Sequence, residues 1–167
     1  LERGALARES SWAGGGIVSP LYPWRYADSV TRLASVSQAI YPELSEALLG
    51  ETGIDPEFEP CGLLVIAPGE ERDAEDWAAR HARHLERVGA ADIARRGPAL
   101  GDAPPSGIWM PKVGQVRNPR LARAMRSSLA RRGAQILEQT PCLGLQAEDG
   151  RIVAVKTPRG ELAADAI

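Results

Sequence analysis

The chain has 167 residues, of which 44% are hydrophobic and 25% are charged, and its formal net charge is −2. This composition is ordinary for a globular protein with a buried core, and the acidic balance argues against a nucleic-acid partner. No apolar run approaches the ~20 residues of a membrane-spanning helix, so we expect no membrane partner. The two cysteines, Cys61 and Cys142, lack metal-site spacing and are too few for a disulfide framework, which favours a cytoplasmic protein.

The two ends of the chain predict strands. Residues 1–4 indicate a strand that ends in an acidic residue, and residues 162–167 indicate another. The chain begins without an initiator Met and stops before any turn follows its last strand. We therefore expect it to be part of a longer protein.

A glycine-rich stretch occupies residues 10–20, where Ser10 and Ser11 precede three consecutive glycines, Gly14 to Gly16. Glycine lets the backbone approach a ligand or another chain segment closely. Adjacent backbone N–H groups beside hydroxyl side chains are also suited to an anion. A flexible surface loop is the alternative interpretation of such a run.

Three helices are predicted from apolar residues that recur every three or four positions. The first covers 28–50, with Asp28 as N-cap, Pro42 as a kink or break near Tyr41 and Gly50 as its end. The second covers 74–88, and the third runs from Asn118-Pro119 to Gly133, with the Asn as N-cap.

Short apolar runs between these helices predict further strands. They cover 61–67, 107–111, 134–138, 143–145 and 152–155. The turn at 148–151 predicts that the last two of these pair as a hairpin. The chain is therefore expected to be α/β or mixed α+β.

Two further groups of residues have both a functional and an ordinary interpretation. His81 and His84 have the spacing of a metal pair, but no carboxylate or thiol ligand is evident beside them, so a half-buried helix face is favoured. The third predicted helix has an arginine-rich face, which we interpret as exposed to solvent and not as a phosphate-binding surface. Its members are Arg120, Arg123, Arg126, Arg131 and Arg132. We expect no metal site and no catalytic side chain in this chain.

Glu2, at the end of the first predicted strand, is a candidate nucleotide ligand. In Rossmann-type sites an acidic residue at the end of the second strand accepts hydrogen bonds from the adenosine ribose. A carboxylate suits this position because its two oxygens can accept from a vicinal diol. The G-x-G-x-x-G fingerprint that should precede it is absent from this chain. The residues alone therefore indicate a nucleotide site and no more.

Several segments, in family order, resemble the FAD-dependent D-amino acid oxidase family, and bacterial glycine oxidases of thiamine biosynthesis above all. They are residues 1–4, 10–24, 52–55, 133–142 and 156–160. The resemblance implies an enzyme that oxidises glycine or another small amino acid or amine. The substrate would pass a hydride to FAD, giving an imine and then hydrogen peroxide. It also implies that the Arg and Tyr that bind substrate lie outside this chain.

The resemblance assigns nine residues to the FAD site: Glu2, Arg3, Ser10, Ser11, Ala13, Gly14, Gly15, Gly16 and Cys142. The acidic residue, with its basic neighbour, would bind the adenosine ribose, and the two serines would meet the pyrophosphate. Ala13 and the glycines would pass against the ribityl chain and the isoalloxazine ring. Cys142 would contact the adenine through backbone atoms, with its thiol buried. Gly16 would replace a bulkier apolar side chain that faces the flavin in some relatives.

The resemblance further implies a partial Rossmann-like FAD-binding domain and part of an antiparallel-sheet substrate, or cap, domain. Residues 1–20 would form the strand end and the glycine loop of the FAD-binding domain, and residues 21–115 would form helices and strands of the cap domain. Residues 116–167 would again belong to the FAD-binding domain. A D-amino acid or sarcosine oxidase or dehydrogenase is one alternative. A non-catalytic module that binds a partner through Trp24, Tyr26 and Trp109 is another. The oligomeric state is left open, a homo-oligomer included.

Overall fold

The computed structural model describes residues 1–102 and 104–164, without the side chain of Ala99. Its α-helices are α1 Ser10–Ala13, α2 Asp28–Thr52, α3 Glu71–Arg80, α4 Ala90–Arg96 and α5 Asn118–Arg131. Its strands are β1 Leu63–Val65, β2 Glu86–Gly89, β3 Ser106–Met110, β4 Gly144–Glu148, β5 Arg151–Thr157 and β6 Gly160–Ala163. The mixture of helices and antiparallel sheets confirms the expected fold class. None of the helices described has both the length and the apolar character that crossing a bilayer requires.

The first sheet has the order β1-β3-β2, and both pairings are antiparallel. Its inner face packs against α3 around a cluster of buried side chains: Val65, Ala67, Ala74, Trp77, Ala78, Ile108, Met110 and Val113. The indole Nε1 of Trp77 donates a 3.0 Å hydrogen bond to Oγ1 of Thr31, and both residues are buried. Because a buried polar group needs a partner, this bond fixes α2 against α3.

The second sheet is the meander β4-β5-β6. Asp149 and Gly150, with φ of 48° and 77°, form the two-residue turn between β4 and β5. Two consecutive positive φ values match the twist of the flanking strands, which explains why an Asp-Gly pair stands there. The predicted hairpin is confirmed. The predicted strand at 162–167 is confirmed only in its first two residues, and 165–167 lie outside the described residues.

Helix α2 is longer than predicted and is not split. It continues through Pro42, which removes only the bond to the carbonyl of Gln38. Its N-cap is Ala27, so Asp28 is its first residue and not its cap. Gly53, with φ of 70°, ends the helix, and its N–H donates to the Leu49 carbonyl at 2.8 Å. A left-handed residue at this position is the usual C-terminal stop, so the prediction that Gly50 ends the helix is wrong.

The predicted helix over 74–88 is wrong in its second half. The helix ends at Arg80, Ala82 takes a φ of 50°, and β2 follows at Glu86–Gly89. The backbone N–H of Arg83 donates to the Ala78 carbonyl at 2.8 Å and closes the turn. Val88, which fitted the helical spacing, is buried in the sheet instead.

The segments 1–4 and 134–138 are not regular strands, although both were predicted as such. They are nevertheless joined by backbone hydrogen bonds. The N–H of Glu2 donates to the Leu137 carbonyl, and the N–H of Thr140 donates to the Glu2 carbonyl, both at 2.9 Å. This short pairing brings the first residues of the chain to the segment around residue 140.

Candidate functional site

The glycine loop is held in place by the segment 113–117, which follows β3. On one side of this segment Gln115 exchanges two backbone hydrogen bonds of 2.9 Å with Glu59. On the other side the N–H of Val116 donates to the Gly16 carbonyl at 2.8 Å. The loop is therefore one edge of a three-segment ladder, and the interpretation as a flexible surface loop is wrong.

Contacts within the chain require glycine at position 16 and restrict the space at position 14. Gly16 has a φ of 75°, and a Cβ placed there would overlap the carbonyl oxygen of Val116. A Cβ on Gly14 would lie 2.5 Å from Nδ2 of Asn118. Gly15 has no atom within 4 Å of its ideal Cβ position, so it alone faces open space. This backbone accepts no side chain at position 16, and the replacement of a bulkier side chain of some relatives by Gly16 stays a prediction.

An open groove lies beside the loop. It is lined by Gly14, Gly15, Gly16, Ile17, Val18, Ser19, Leu21, Tyr41, Val116 and Asn118. Its lining combines glycine backbone and an amide side chain with apolar side chains such as that of Ile17, which is 39% exposed. Such a surface suits a flat ring system with polar edges. The residues present therefore fit the isoalloxazine end of a flavin.

Glu2 and Cys142, far apart in sequence, are brought close together. The pairing of Glu2 with Thr140 leaves Cys142 only two residues further along. Oε1 of Glu2 accepts the N–H of Gly4 at 2.8 Å, which orients the carboxylate. A carboxylate held in this way can still accept hydrogen bonds from a diol. This end of the chain therefore fits the adenosine end of a dinucleotide.

Cys142 itself differs from its expected state. Its side chain is exposed, with Sγ 3.5 Å from the Gly144 carbonyl oxygen, so the expectation of a buried thiol is wrong. The buried residue in this segment is Thr140, whose hydroxyl donates to the Glu138 carbonyl at 2.9 Å. The threonine side chain closes the local turn and so turns the following residues outward.

Ser10, Ser11 and Ala13 all lie exposed on α1. The residues around them are fixed by charged groups. Arg3 and Glu9 form an exposed ion pair of 2.8 Å, in which the carboxylate raises the pKa of Arg3. The structure therefore leaves the two serine hydroxyls at the surface, where an anion can reach them.

Glu138 is a site residue that the sequence did not single out. Its Oε1 accepts the backbone N–H of Leu6 at 2.7 Å, and its Oε2 accepts from Arg126 of α5 at 2.8 Å. The Leu6 N–H, and then Arg126, hold the pKa of Glu138 below its ordinary value. This one carboxylate joins the start of the chain, α5 and the 134–142 segment. No local pattern marks such a role, because all its partners are distant in sequence or on another element.

The histidines do not form a metal site. His81 closes α3, with Nε2 2.9 Å from Oδ1 of Asp28, and His84 lies beyond the helix with Nε2 3.1 Å from Oε1 of Glu86. The helix-face interpretation is therefore wrong for His84. Over residues 1–102 and 104–164, no three ligating side chains stand close enough to hold a metal ion.

The arginines of α5 are largely engaged in ion pairs. Arg120 lies 3.2 Å from Glu57, and Arg132 lies 3.2 Å from Glu51. Because these pairs are partly exposed, each contributes little to stability. Together they offset positive charge on the basic face. This supports the interpretation of a solvated face.

The aromatic residues proposed for a binding module are mostly packed within the chain. Nε1 of Trp24 donates to Glu70 at 2.7 Å, and Arg96 lies 4.0 Å above the ring of Trp109. Tyr26 is the exception, at 50% exposed. Two of the three aromatic side chains therefore already have partners within the chain. This argues against a partner-binding surface formed by all three.

Comparisons with known proteins agree with this geometry. A family model described as FAD dependent oxidoreductase matches residues 1–167. The chain is 45% identical over 168 residues to a glycine oxidase of Pseudomonas aeruginosa, covering 100% of this chain and 46% of that protein. It is 28% identical over 158 residues to a bifunctional protein ThiO/ThiG of Trichormus variabilis, covering 92% of this chain and 24% of that protein.

Among solved structures, a glycine oxidase from Bacillus cereus superposes with a TM-score of 0.81 at 27% identity. The superposition covers 98% of this chain and 45% of that one. The chain thus spans about half the length of the glycine oxidases it matches. The similarity extends over nearly every residue described above.

Proposed function

Because the chain belongs to the family of FAD-dependent oxidoreductases whose model matches it throughout, we propose that it forms part of a flavin-dependent oxidase of glycine or another small amino acid or amine. The observation that carries this proposal is the glycine loop. Gly16 is hydrogen-bonded to Val116 in the segment before α5, while Gly15 faces an open groove. A loop built in this way gives a flat ligand access to the backbone without losing its own shape.

The FAD would be held by the nine residues that the resemblance assigns. At the adenosine end, the Glu2 carboxylate accepts hydrogen bonds from the ribose, Arg3 stands beside it, and Cys142 offers backbone atoms to the adenine. In the middle, the exposed hydroxyls of Ser10 and Ser11 donate to the pyrophosphate. At the ring end lie the remaining four residues, Ala13, Gly14, Gly15 and Gly16.

A bound FAD would supply the redox chemistry, in which the substrate Cα–H gives up a hydride, an imine is formed and oxygen is reduced to hydrogen peroxide. The residues of this chain serve to bind and orient. Gly15 exposes backbone to the ring, and the ladder around Gln115 keeps that backbone in place. None of these roles needs a catalytic acid or base from this chain, and the substrate-binding side chains would come from elsewhere in the whole enzyme.

We assign the same protein to thiamine biosynthesis in the cytoplasm. The likeness to ThiO/ThiG supports the pathway. The two cysteines, both free and exposed, support a reducing compartment. The division into a strand end with glycine loop (1–20), cap elements (21–115) and a return to the FAD-binding domain (116–167) is part of this proposal.

The test is to purify the full-length protein that contains this chain and to measure its absorbance spectrum and peroxide release. We expect a yellow protein that forms hydrogen peroxide with glycine or sarcosine. Faster turnover of D-alanine than of either would move the substrate class to D-amino acids. A colourless protein that takes up no FAD on reconstitution would contradict the proposal.

A substitution tests the adenosine end of the site. Glu2→Gln should weaken FAD binding by about tenfold or more, since hydrogen bonds to a charged acceptor are lost. The matched control is Glu75→Gln, an exposed glutamate on α3, which contributes none of the nine residues assigned to the FAD site. Equal losses in both variants would show that Glu2 has no specific role.

A further inference from the structure

A second cavity lies away from the groove beside the glycine loop. It has a volume of about 90 Å³ and is enclosed by α2, the Pro23 turn, the end of α3 and the residues after β3. A single water needs only ~10–15 Å³ of such volume, so a ligand of several heavy atoms fits. The cavity and the groove have Ser19 alone in common. They are neighbouring sites, and a shallow depression that shares Ala34 and Gln38 with the cavity and Ile17 and Tyr41 with the groove lies between them.

Basic side chains line this cavity. Among the described residues that form its walls are Arg83, His84 and Lys112, and no Asp or Glu is among them. Of these three, only His84 has a carboxylate partner, Glu86, among residues 1–102 and 104–164. Arg83 is half-buried, and one of its terminal nitrogens is bonded to the hydroxyl of Ser35, which fixes the guanidinium without neutralising it. An anion that enters the cavity can therefore form charge-assisted hydrogen bonds with this guanidinium.

The remaining lining is apolar. Trp77, Met110 and Ala34 contribute to the walls. Phosphate and sulfate are polar on every side and would leave such walls unused. A short carboxylate has one charged end and an apolar body, and the planar guanidinium of Arg83 matches its two oxygens. The lining as a whole therefore matches a carboxylate better than an inorganic oxyanion.

We propose that this cavity is a binding site for a small monocarboxylate, with Arg83 and Lys112 on the carboxylate and the Trp77–Met110 wall against its carbon chain. The site is formed by residues of this chain alone. It does not depend on FAD, so it is tested separately from the proposed oxidase.

The experiment titrates the protein with sodium propionate at constant ionic strength, followed by the NMR signals of the Trp77 indole N–H and the Arg83 side chain. We expect saturable shifts of both signals. Arg83→Gln should weaken binding by at least tenfold and Lys112→Gln by several-fold. The matched control is Arg123→Gln, an exposed arginine of α5 outside the cavity, which should bind as the parent does.

A steric variant keeps the test decisive if the Arg83 variant does not fold. Ala34→Leu should fill the cavity and abolish saturation while leaving every charge in place. Non-saturating shifts in the parent, or an equal loss in Arg123→Gln, would overturn the proposal. Phosphate binding more tightly than propionate would overturn the carboxylate assignment.

Discussion

At Gly16 the backbone conformation and the nearest neighbour impose the same requirement. A φ of 75° is unfavourable for any residue with a Cβ, and the Val116 carbonyl oxygen occupies the space where that Cβ would stand. At Gly15 neither restriction applies. Two neighbouring glycines therefore have different reasons to be glycine, one internal and one facing the groove.

The pair Gly16→Ala and Gly15→Ala separates these reasons. Gly16→Ala should lower the free energy of unfolding by about 1–3 kcal/mol, because a non-glycine residue is forced into the left-handed region. Gly15→Ala should change it by no more than about 0.5 kcal/mol, since its Cβ meets open space. Urea denaturation measures both. In the full-length protein, Gly15→Ala should weaken FAD binding although folding is intact, and unchanged FAD affinity would contradict the role given to Gly15.

At the scale of elements, Glu70 joins the Pro23–Arg25 turn to the start of α3. Its carboxylate accepts from Arg25 and from the Trp24 indole, and these partners lower its pKa from 4.5 to about 2. A carboxyl group whose pKa is lowered in the folded state stabilises that state only while it is ionised. The stabilisation is therefore complete above pH 4.5 and is lost as the pH falls from there to about 2.

We expect Glu70→Gln to remove this part of the pH dependence. Urea denaturation between pH 6 and pH 2.5 should show parent and variant converging as the pH falls, because the carboxyl group of the unfolded parent takes up a proton in this range before that of the folded parent does. The matched control is Glu75→Gln on the exposed side of α3, which should follow the parent curve. A difference between parent and Glu70→Gln that stays constant across this range would contradict the assignment.

At the scale of the whole molecule, α2 presents an uncovered apolar stripe. Leu33, Val36 and Ile40 are 75%, 65% and 52% exposed, and they lie on one face at spacings of three and four. Nothing in the described part of the chain covers this stripe. Apolar patches of this kind bind other apolar surfaces.

Polar substitution of the stripe should change association but not folding. Leu33→Gln combined with Val36→Gln should reduce binding of the dye ANS and any concentration-dependent self-association. The free energy of unfolding should stay within about 0.5 kcal/mol of the parent. The control Leu48→Gln, at a position 4% exposed on the same helix, should cost more than about 2 kcal/mol. Unchanged ANS binding in the double variant would count against this interpretation of the stripe.

The sequence predicted what local patterns encode. The hairpin turn at Asp149-Gly150 follows from residues adjacent in the chain. The start of α5 was predicted to within one residue, but its N-cap is Arg117, so the assignment of Asn118 as N-cap is wrong. The spacing of apolar residues over 74–88 fits a helix and a helix followed by a strand equally well, so only the sheet contacts of Val88 decide it.

The same distinction between local patterns and distant contacts applies to the candidate site. The glycine loop and Glu2 were predicted from the sequence, because residue type and resemblance both point to them. The partners that shape the site, Val116, Asn118 and Glu138, were missed. Each acts through a contact with a segment about a hundred residues away, and no short-range pattern encodes such a contact.

The ladder around Gln115 also restricts the length of the chain. Because β3 leads directly into the segment 113–117, Met110 is bound to one sheet while Val116 is bound to the glycine loop. One residue inserted or deleted between them would shift the register of the Glu59 and Gly16 pairings together. The two pairings together therefore fix the number of residues in this stretch.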